Sequence, residues 1–368
     1  MNTPGANRSA SSVPASSVPT SSASAALAAV PALLELQAIE HVFADGSAGL
    51  RGCSLALGRG RRHALLGPNG AGKTTVLQHL NGLLRPTAGR MLWNGRPYEY
   101  GRAGLTDLRR RVGLVFQNPE RQLFSAQVEE DVSFGPLNLG LDEATVRARV
   151  AAALDAVGLD GFGARAVHHL SFGQKKRVCI AGVLAMEPEV LLLDEPMAGL
   201  DAPMQRELTA LLDGLAARGV TVLLSTHDVD FAYAWADDIH LMAAGRCIAS
   251  GAAHDVVLQA DALQAAGQRQ PAALALHAAL AARGVLADGP APRSVDALLE
   301  ALRAPPAPPS QAAPSRARQE EPALQGAQEQ HMQEQHMQDQ QAQEQQTQGR
   351  QAQALQHRAH HRPGDTPA

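Results

Sequence analysis

The sequence predicts an α/β fold whose largely parallel sheet carries helices on its faces. Continuous apolar runs such as VLLLDEP (190–196) and VTVLLSTHD (220–228) are typical of strands buried on both faces of a sheet. Segments of helical period alternate with these runs, as in PMQRELTALLDGLAARG (203–219). The strand-like RRHALLG (61–67) leads into a glycine-rich loop and then into a helical pattern, which is typical of a strand–loop–helix phosphate site.

The remaining elements follow from local pattern. Further strands are predicted at LLELQAIEHVF (33–43), RGCSLALGRG (51–60), RMLWNGRP (90–97) and LRRRVGLVFQ (108–117), the last ending at Gln117. Further helices are predicted at KTTVLQHLNGLL (73–84), DEATVRARVAAALDAVGL (142–159) and KKRVCIAGVLAMEP (175–188). The stretch LSFGQ (170–174) is therefore expected on the loop before a helix. After about Ala253 only helical patterns follow.

Composition divides the 368 residues into four parts, with boundaries at 1–32, 33–253, 254–303 and 304–368. The first part is rich in Ser, Ala and Pro, and the last in Pro, Gln and His. Both contain too few large apolar residues to offset the entropy of ordering, so we expect both to be disordered. The two central parts are predicted to be the main domain and a small helical extension.

Charge and cysteine usage limit the class of protein. The formal net charge of −4 provides no basic field, so no nucleic-acid partner is expected. Cys53, Cys179 and Cys247 form no C-x-x-C pair, which favours a reducing compartment. The apolar run at 25–34 is interrupted by proline and is half the length of a membrane span. We therefore expect a protein that reaches a membrane only through a partner.

The first chemical motif is GPNGAGKT (67–74), which fits the phosphate-binding pattern G-x-x-x-x-G-K-[ST]. Glycines let backbone N–H groups converge on phosphate oxygens, and the start of the following helix adds partial positive charge. Lys73 is expected at the β- and γ-phosphates, and the Thr74 hydroxyl is expected to ligate Mg²⁺. An ordinary glycine-rich turn is the alternative.

The second motif is the apolar strand that ends in acids, LLLDEP (191–196). Asp194 is predicted to belong to the Mg²⁺ shell, and Glu195 to polarise the attacking water. An apolar strand ending in Asp-Glu is common by itself. Its position about 120 residues after the phosphate loop, and before a strand that ends in His227, indicates the catalytic interpretation.

The order and spacing of these motifs resemble those of the ATP-binding subunit of ABC transporters over residues 33–256. The resemblance implies a P-loop NTPase with a RecA-like core of mixed sheet, an antiparallel β-subdomain and a helical subdomain. It implies that Glu195, His227 and Gln117 are catalytic, and that Thr74, Gln117 and Asp194 surround Mg²⁺. The residues implied to contact ATP are Phe43, Gly67, Pro68, Asn69, Gly70, Ala71, Gly72, Lys73, Thr74, Thr75, Ser171, Gly173, Gln174 and Asp201.

In that family, LSFGQ corresponds to the signature loop, which meets the ATP held by a second subunit. The resemblance therefore implies a head-to-tail dimer in which Ser171 and the Gly173 amide complete the γ-phosphate contacts across the interface. Two positions depart from the family pattern. Phe172 replaces the first glycine of the signature, and Met197 replaces the usual threonine after Pro196. Neither change removes a phosphate ligand or the base, so an active ATPase is expected.

Longer segments resemble the ATPases of energy-coupling-factor importers, especially the cobalt and nickel branch. They are VGLVFQNPERQLFSAQVEEDVSFGPLNLGL (112–141), QKKRVCIAGVLAMEP (174–188) and HDVDFAYAWAD (227–237). The helices at 254–303 resemble that group's C-terminal extension, which helps dimerisation. The segment after Gln117, with Leu123 and Phe124, is expected to form the groove for the coupling helix of a membrane subunit. Packing within the helical subdomain is the alternative for these two side chains.

The tail also contains possible metal ligands. His331 and His336 are five residues apart and would point about 140° from each other on a helix. His357, His360 and His361 would share a helical face. Imidazole and thioether groups suit Ni²⁺, Co²⁺ or copper. Gln-rich low-complexity sequence with incidental histidines is the interpretation we favour for high-affinity binding, and weak buffering stays open.

The expected function is ATP hydrolysis that powers a membrane importer of cobalt or nickel ions. The expected partners are a second ATPase subunit, an integral membrane coupling subunit and a substrate-binding membrane subunit, at the cytoplasmic face of the membrane. A vitamin importer with the same coupling ATPase is the near alternative. A soluble non-transport ABC ATPase is less favoured, because the chain has one P-loop and no basic stripe. A non-hydrolysing regulatory protein conflicts with intact Lys73, Asp194, Glu195 and His227.

Overall fold

The computed structural model describes residues 32–286 and 289–303. The expectations for residues 1–31 and for the tail at 304–368, including those for His331, His336, His357, His360 and His361, lie outside the described residues. No helix in the described part of the chain combines the length and the apolar character that a membrane crossing requires.

The strands, in chain order, are β1 (Ala32–Val42), β2 (Ala48–Gly58), β3 (Arg62–Leu66), β4 (Ala88–Trp93), β5 (Arg96–Pro97), β6 (Val112–Val115), β7 (Val190–Leu193), β8 (Thr221–Thr226), β9 (Asp238–Ala243) and β10 (Arg246–Ala252). The α-helices are α1 (Lys73–Leu80), α2 (Arg102–Arg111), α3 (Val128–Asn138), α4 (Glu143–Ala156), α5 (Phe172–Leu184), α6 (Ala202–Ala217), α7 (Val229–Trp235), α8 (Ala253–Val257), α9 (Ala260–Ala265), α10 (Ala272–Ala281) and α11 (Val295–Arg303).

A mixed sheet with strand order β10-β9-β3-β8-β7-β6 forms the centre of the molecule. Its inner strands are parallel, and only β10 runs antiparallel to its neighbour. The register aligns Val115 with Leu193, Leu193 with Leu224 and Leu66 with Thr226. The carboxyl ends of β6, β7, β8 and β3 therefore open at one edge, where open α/β sheets bind ligands.

The apolar runs of the sequence are explained by a sheet that is covered on both faces. Leu65, Leu192 and Leu223 belong to one core, which includes α1 and the antiparallel sheet β2-β1-β4-β5. The next residues along the same strands, Leu66, Leu193 and Leu224, belong to the other core, which contains α5 and α6. Because successive side chains of a strand point to opposite faces, both sets must be apolar.

Some sequence expectations were wrong in their boundaries. LRRRVGLVFQ is not one strand, because its first four residues end the highly charged helix α2 and only Val112–Val115 pair with β7. The helix α3, which contains Pro136 and Gly135, was not predicted. The strands β9 and β10 were also missed. The signature stretch is not a loop ahead of Lys175, because α5 begins at Phe172.

Candidate nucleotide-binding and hydrolysis site

The phosphate loop joins β3 to α1 and requires glycine at both of its ends. A Cβ atom on Gly67 would lie 2.4 Å from the carbonyl oxygen of Met242. Gly72 has a φ of +99°, and a Cβ there would lie 2.9 Å from the carbonyl oxygen of Gly49. No side chain caps the start of α1. The first N–H groups of this helix can therefore bind an anion.

Lys73 is buried at the first position of α1. Its Nζ donates hydrogen bonds to the carbonyl oxygens of Gly67 at 2.8 Å and Pro68 at 3.3 Å. It also lies 3.1 Å from Oε1 of Glu195. In this state the Glu195 carboxylate is the counter-charge of the ammonium, a place that a phosphate can take.

Thr74 and the end of β7 are connected directly. The Thr74 hydroxyl donates to Oδ2 of Asp194 at 2.8 Å, and the Ser225 hydroxyl donates to Oδ1 at 2.7 Å. Ser225 also accepts a 2.8 Å hydrogen bond from the backbone N–H of Glu195. Sequence reasoning missed Ser225, although a hydroxyl within the apolar run VTVLLSTHD was a usable signal.

Glu195 has an uncommon backbone conformation, with a φ of +44°. Its Oε2 lies 3.0 Å from Nδ1 of His227, which follows β8, while Oε1 faces Lys73. The carboxylate is only 11% exposed. A non-glycine residue with positive φ is strained, and such strain is found at sites where the surroundings impose one geometry. The carboxylate is thus aimed by its neighbours from two sides.

Gln117 and Phe43 lie beside the hydrogen-bonded residues of the phosphate loop and the end of β7. A cavity of 640 Å³ is lined by both Thr74 and Gln117. Gln117 is exposed, and one residue, Phe116, separates it from the end of β6 at Val115. The Phe43 ring is 38% exposed and contacts His41 edge to face at 4.7 Å. A Cβ on Gly49 would lie 2.6 Å from the Phe43 ring and 3.3 Å from Cγ2 of Thr75, so this partly free aromatic surface lies near the start of α1, where a base-stacking group is expected.

The signature residues form the beginning of α5. Ser171 is the N-cap: its Oγ accepts the N–H of Gln174 at 3.3 Å, and Oε1 of Gln174 accepts the N–H of Ser171 at 3.0 Å. This capping box explains why the helix starts here. The first turn contains no acidic residue. Gly173 is buried, and a Cβ there would lie 2.7 Å from Sδ of Met204.

The two positions that depart from the family pattern have local explanations. The Phe172 ring lies against Gly199, where a Cβ would be 3.0 Å from the ring carbon Cε1. Gly199 has a φ of +75°, so glycine is favoured there on both grounds. Met197 packs against the larger core. Asp201 caps α6, with its carboxylate accepting the N–H of Met204 at 2.9 Å.

The structure therefore brings five of the expected site residues into one connected group: Lys73, Thr74, Asp194, Glu195 and His227. Within the described part of the chain, Ser171, Gly173 and Gln174 form no hydrogen bond with this group. They lie at the separate start of α5, where Ser171 is exposed and Gly173 is buried.

Comparison with known proteins agrees with this geometry. The family model described as ABC transporter matches residues 50–198. The cobalt import ATP-binding protein CbiO of Rhodobacter capsulatus is 50% identical over 269 residues, which cover 72% of this chain and 95% of that protein. This chain belongs to the ATP-binding subunits of ABC transporters.

Further relatives identify the group within the family. The energy-coupling factor transporter ATP-binding protein EcfA of Methanocaldococcus jannaschii is 46% identical over 239 residues, which cover 65% of this chain and 86% of that protein. The structure of cbiO1 from Clostridium perfringens, part of the ABC transporter complex cbiONQ, is 42% identical with a TM-score of 0.58, covering 64% of this chain and 94% of that chain. The chain is thus an ABC ATPase of the energy-coupling-factor type, which couples ATP hydrolysis to transport.

Proposed function

We propose that this ABC ATPase powers a membrane importer of divalent cobalt or nickel ions. The observation that carries the proposal is the 50% identity to a cobalt import ATP-binding protein, which extends over 95% of that relative. The resemblance of residues 112–141 and 227–237 to the same branch supports it.

In the proposed reaction, the ion pair between Lys73 and Glu195 is exchanged. The β- and γ-phosphates of ATP take Lys73 as their partner, because a polyphosphate is a stronger anion than one carboxylate. Glu195 then accepts a proton from the attacking water, while His227, which is 3.0 Å from its other oxygen, holds the carboxylate and reaches the γ-phosphate.

The donor set at the carboxyl end of β7 fits Mg²⁺. The Thr74 hydroxyl and the Asp194 carboxylate are hard oxygen ligands already 2.8 Å apart, and Gln117 lines the same cavity as Thr74. Bound there, the ion neutralises phosphate charge. Ser225 keeps the other Asp194 oxygen oriented.

A second ATPase subunit completes the site in this proposal. The partial positive charge at the start of α5, together with the Ser171 hydroxyl and the Gly173 N–H, contacts the γ-phosphate held by the other subunit's phosphate loop. Gln174 and Asp201 reach the nucleotide from the same side. ATP closes the pair because its contacts with the signature exist only in the closed state.

The proposed domain organisation assigns residues 33–253 to the ATP-binding domain and 254–303 to a dimer-supporting extension. In α11, Leu298 is buried, whereas Val295, Leu299 and Leu302 form an exposed apolar face at 38–44% exposure. Apolar residues at this helical spacing are typical of a face that packs against another helix.

The proposed docking site for the membrane coupling subunit is a groove of 460 Å³ beside the segment after Gln117. Leu123 and Phe124 line it, together with Leu83 and Phe134. Phe124 is 64% exposed and Phe134 51% exposed, and their rings meet edge to face at 4.7 Å. Such an exposed aromatic pair is suited to a helix laid into a groove. This partner would hold the ATPase at the cytoplasmic face of the membrane.

Accumulation of nickel and cobalt in the native host tests the substrate. Wild type, a deletion strain, and the deletion complemented with Glu195→Gln are compared in cells without a redundant importer. We expect loss of one metal in both mutant strains, which identifies the ion. Unchanged uptake of both metals, with the protein shown to be expressed, would contradict the proposal and favour a vitamin or another solute.

A further inference from the structure

Lys176 is a buried cation whose role the nucleotide contacts do not explain. It lies one turn into α5 and is only 2% exposed. Its Nζ donates to the carbonyl oxygens of Pro196 at 2.7 Å and Ala198 at 2.9 Å. Burial of a charged group is costly unless its donors are satisfied, so the two carbonyl groups are what allow a lysine at this buried position.

The two carbonyls belong to the turn that follows Glu195. That turn closes with a 3.2 Å hydrogen bond from the N–H of Ala198 to the carbonyl oxygen of Glu195, whose own φ is +44°. Ser225 holds the Glu195 N–H from the β8 side. Lys176 is the contact from the α5 side. A strained backbone persists only when its surroundings fix it, and these two contacts hold it from β8 and from α5.

The Phe172 ring completes the arrangement. It is four residues before Lys176, and its centroid lies 5.3 Å from Nζ, a cation–π contact on one helical face. The other side of the same ring region contacts Gly199 of the turn. The unusual phenylalanine of the signature therefore covers the ammonium and packs on the segment that the ammonium binds.

We infer that Lys176 is a positioning residue for hydrolysis: it fastens the turn that carries Glu195 to the start of the signature helix, with Phe172 as its cover. The inference rests on the proposed role of Glu195 as the base. Lys176 connects the signature helix, which is proposed to contact one nucleotide, with the turn that carries Glu195, which is proposed to act on the other nucleotide. The connection consists of two hydrogen bonds within one chain.

The charge state of Lys176 makes the idea testable by pH. Burial lowers the pKa of Lys176 from 10.5 to about 8, and the Glu195 carboxylate on the turn opposes part of that shift. Burial raises the pKa of the Cys179 thiol to about 12, so this thiol stays neutral around pH 8. Above pH 8 the amine keeps N–H donors but loses charge assistance and its attraction to the Phe172 ring.

We expect activity to fall above pH 8, whereas the contribution of Lys176 to folding stability changes in the opposite direction. Because the folded-state pKa of Lys176 lies below its unfolded value, the unfolded chain binds more protons between pH 8 and pH 10.5. The contribution of this group to stability therefore rises with pH in that window. A fall of kcat above pH 8 that comes from Lys176 is not explained by the group's effect on folding.

The experiment measures steady-state ATPase activity of the full chain with Mg²⁺ and ATP from pH 6.5 to 9.5. The variants are Lys176→Met, Lys176→Arg and the matched control Lys175→Met, which removes the same charge from a residue whose Nζ pairs with Glu120 at 3.2 Å. Glu195→Gln is measured in parallel. Circular dichroism at each pH checks the fold.

We expect Lys176→Met to lower kcat about tenfold or more with the KM for ATP within about twofold, because the phosphate loop is untouched. Lys175→Met is expected to stay near wild type. Wild type should lose kcat above about pH 8, and Lys176→Arg, whose guanidinium stays charged, should keep activity there.

Wild-type values for Lys176→Met would overturn the inference, provided that Glu195→Gln is inactive. If Lys176→Met does not fold, the pH profiles decide: no alkaline fall in wild type, or the same fall in Lys176→Arg, overturns it. An active Glu195→Gln would instead remove the proposed role of Glu195.

Discussion

The phosphate loop and the signature helix are both proposed to contact phosphate, but their polar groups are held in different ways. Around the phosphate loop, the functional groups of Lys73, Asp194 and Glu195 are all engaged by other groups of the same chain at 2.7–3.1 Å. At the signature, the side chains of Ser171 and Gln174 each accept a hydrogen bond from the other residue's backbone N–H, and Ser171 is exposed.

In the proposed two-subunit site, this difference separates the groups that one chain assembles from those that a second subunit supplies. The phosphate-loop half, the connected group that contains Lys73 and Glu195, is a closed set of charges in which Glu195 neutralises Lys73. In the proposed reaction a phosphate takes the place of Glu195. The signature half, residues 170–174, is a helix start without an acidic residue in its first turn. The phosphate-loop half contains its own counter-charge, Glu195, whereas the partial positive charge at the start of α5 has no carboxylate beside it in the first turn.

The largest effect is expected from Glu195→Gln, which removes the carboxylate from the closed half. Loss of the base should lower kcat by about 10²–10⁴-fold, while binding of ATP persists because Lys73 loses a competing anion. A nucleotide-bound dimer should then accumulate, visible by size exclusion with light scattering at millimolar ATP. A monomer under those conditions would contradict a signature that acts between subunits.

The next effect tests directly whether the two halves come from different chains. Lys73→Ala and Ser171→Ala are each expected to be nearly inactive. Mixing the two proteins should restore activity, since a mixed pair of chains contains one site with an intact phosphate loop and an intact signature. Steady-state ATP hydrolysis of the mixture, against each variant alone, is the measurement.

Lys73→Ala mixed with Glu195→Gln provides the control for this complementation. Both of those substitutions damage the phosphate-loop half, so every site in the mixed pair keeps a defect and no activity should return. Equal recovery in both mixtures, or none in the first with dimer formation demonstrated, would mean that the two halves do not complement each other between chains.

A smaller effect on hydrolysis is expected at the groove. Phe124→Ser removes an aromatic side chain that is 64% exposed, so stability and intrinsic ATPase rate should change little. Association with the membrane subunits should weaken, as measured by co-purification. Ile248→Ser, at a 37% exposed position on β10, is the matched control. Unchanged co-purification of Phe124→Ser would leave Phe124 as a packing residue of the helical subdomain.

The phosphate-loop half could largely be predicted from the sequence, because each of its residues follows a strong local pattern. An apolar run buried on both faces places Asp194 and Glu195 at its carboxyl end, and the glycine pattern places Lys73. These signals need no knowledge of distant contacts.

The missed features depend on tertiary contacts instead. The helix α2 ends in Arg109, Arg110 and Arg111 and buries only Leu108, so its sequence has no apolar stripe to find. The roles of Ser225 and Lys176 arise from segments about 20–30 residues away in the chain. The capping box at Ser171 was a local signal, S-x-x-Q, and could have set the correct start of α5.

The smallest effect concerns how the phosphate-loop helix itself is anchored. His79 on α1 is fully buried, and its Nδ1 donates to the carbonyl oxygen of Thr75 at 2.7 Å. Burial lowers the pKa of His79 from 6.5 to about 4. Between these values the unfolded chain holds a proton that the folded chain does not, so stability falls as pH drops below about 6.5.

The change that isolates this effect is His79→Gln, which removes the titrating ring. The free energy of unfolding of wild type should decrease, relative to this variant, by about 1.4 kcal/mol for each pH unit between pH 6 and pH 4.5. Urea unfolding across that range measures it, with His168→Gln at an exposed histidine as the matched control. A pH-independent difference in the free energy of unfolding between wild type and His79→Gln would mean that the ring is protonated in the folded state over this range. A neighbouring group would then have to stabilise its charge. The phosphate-loop half would then contain a second buried cation on α1 in addition to Lys73. Its charges would not be balanced by the bonds around Lys73 alone, and it would differ less from the signature half.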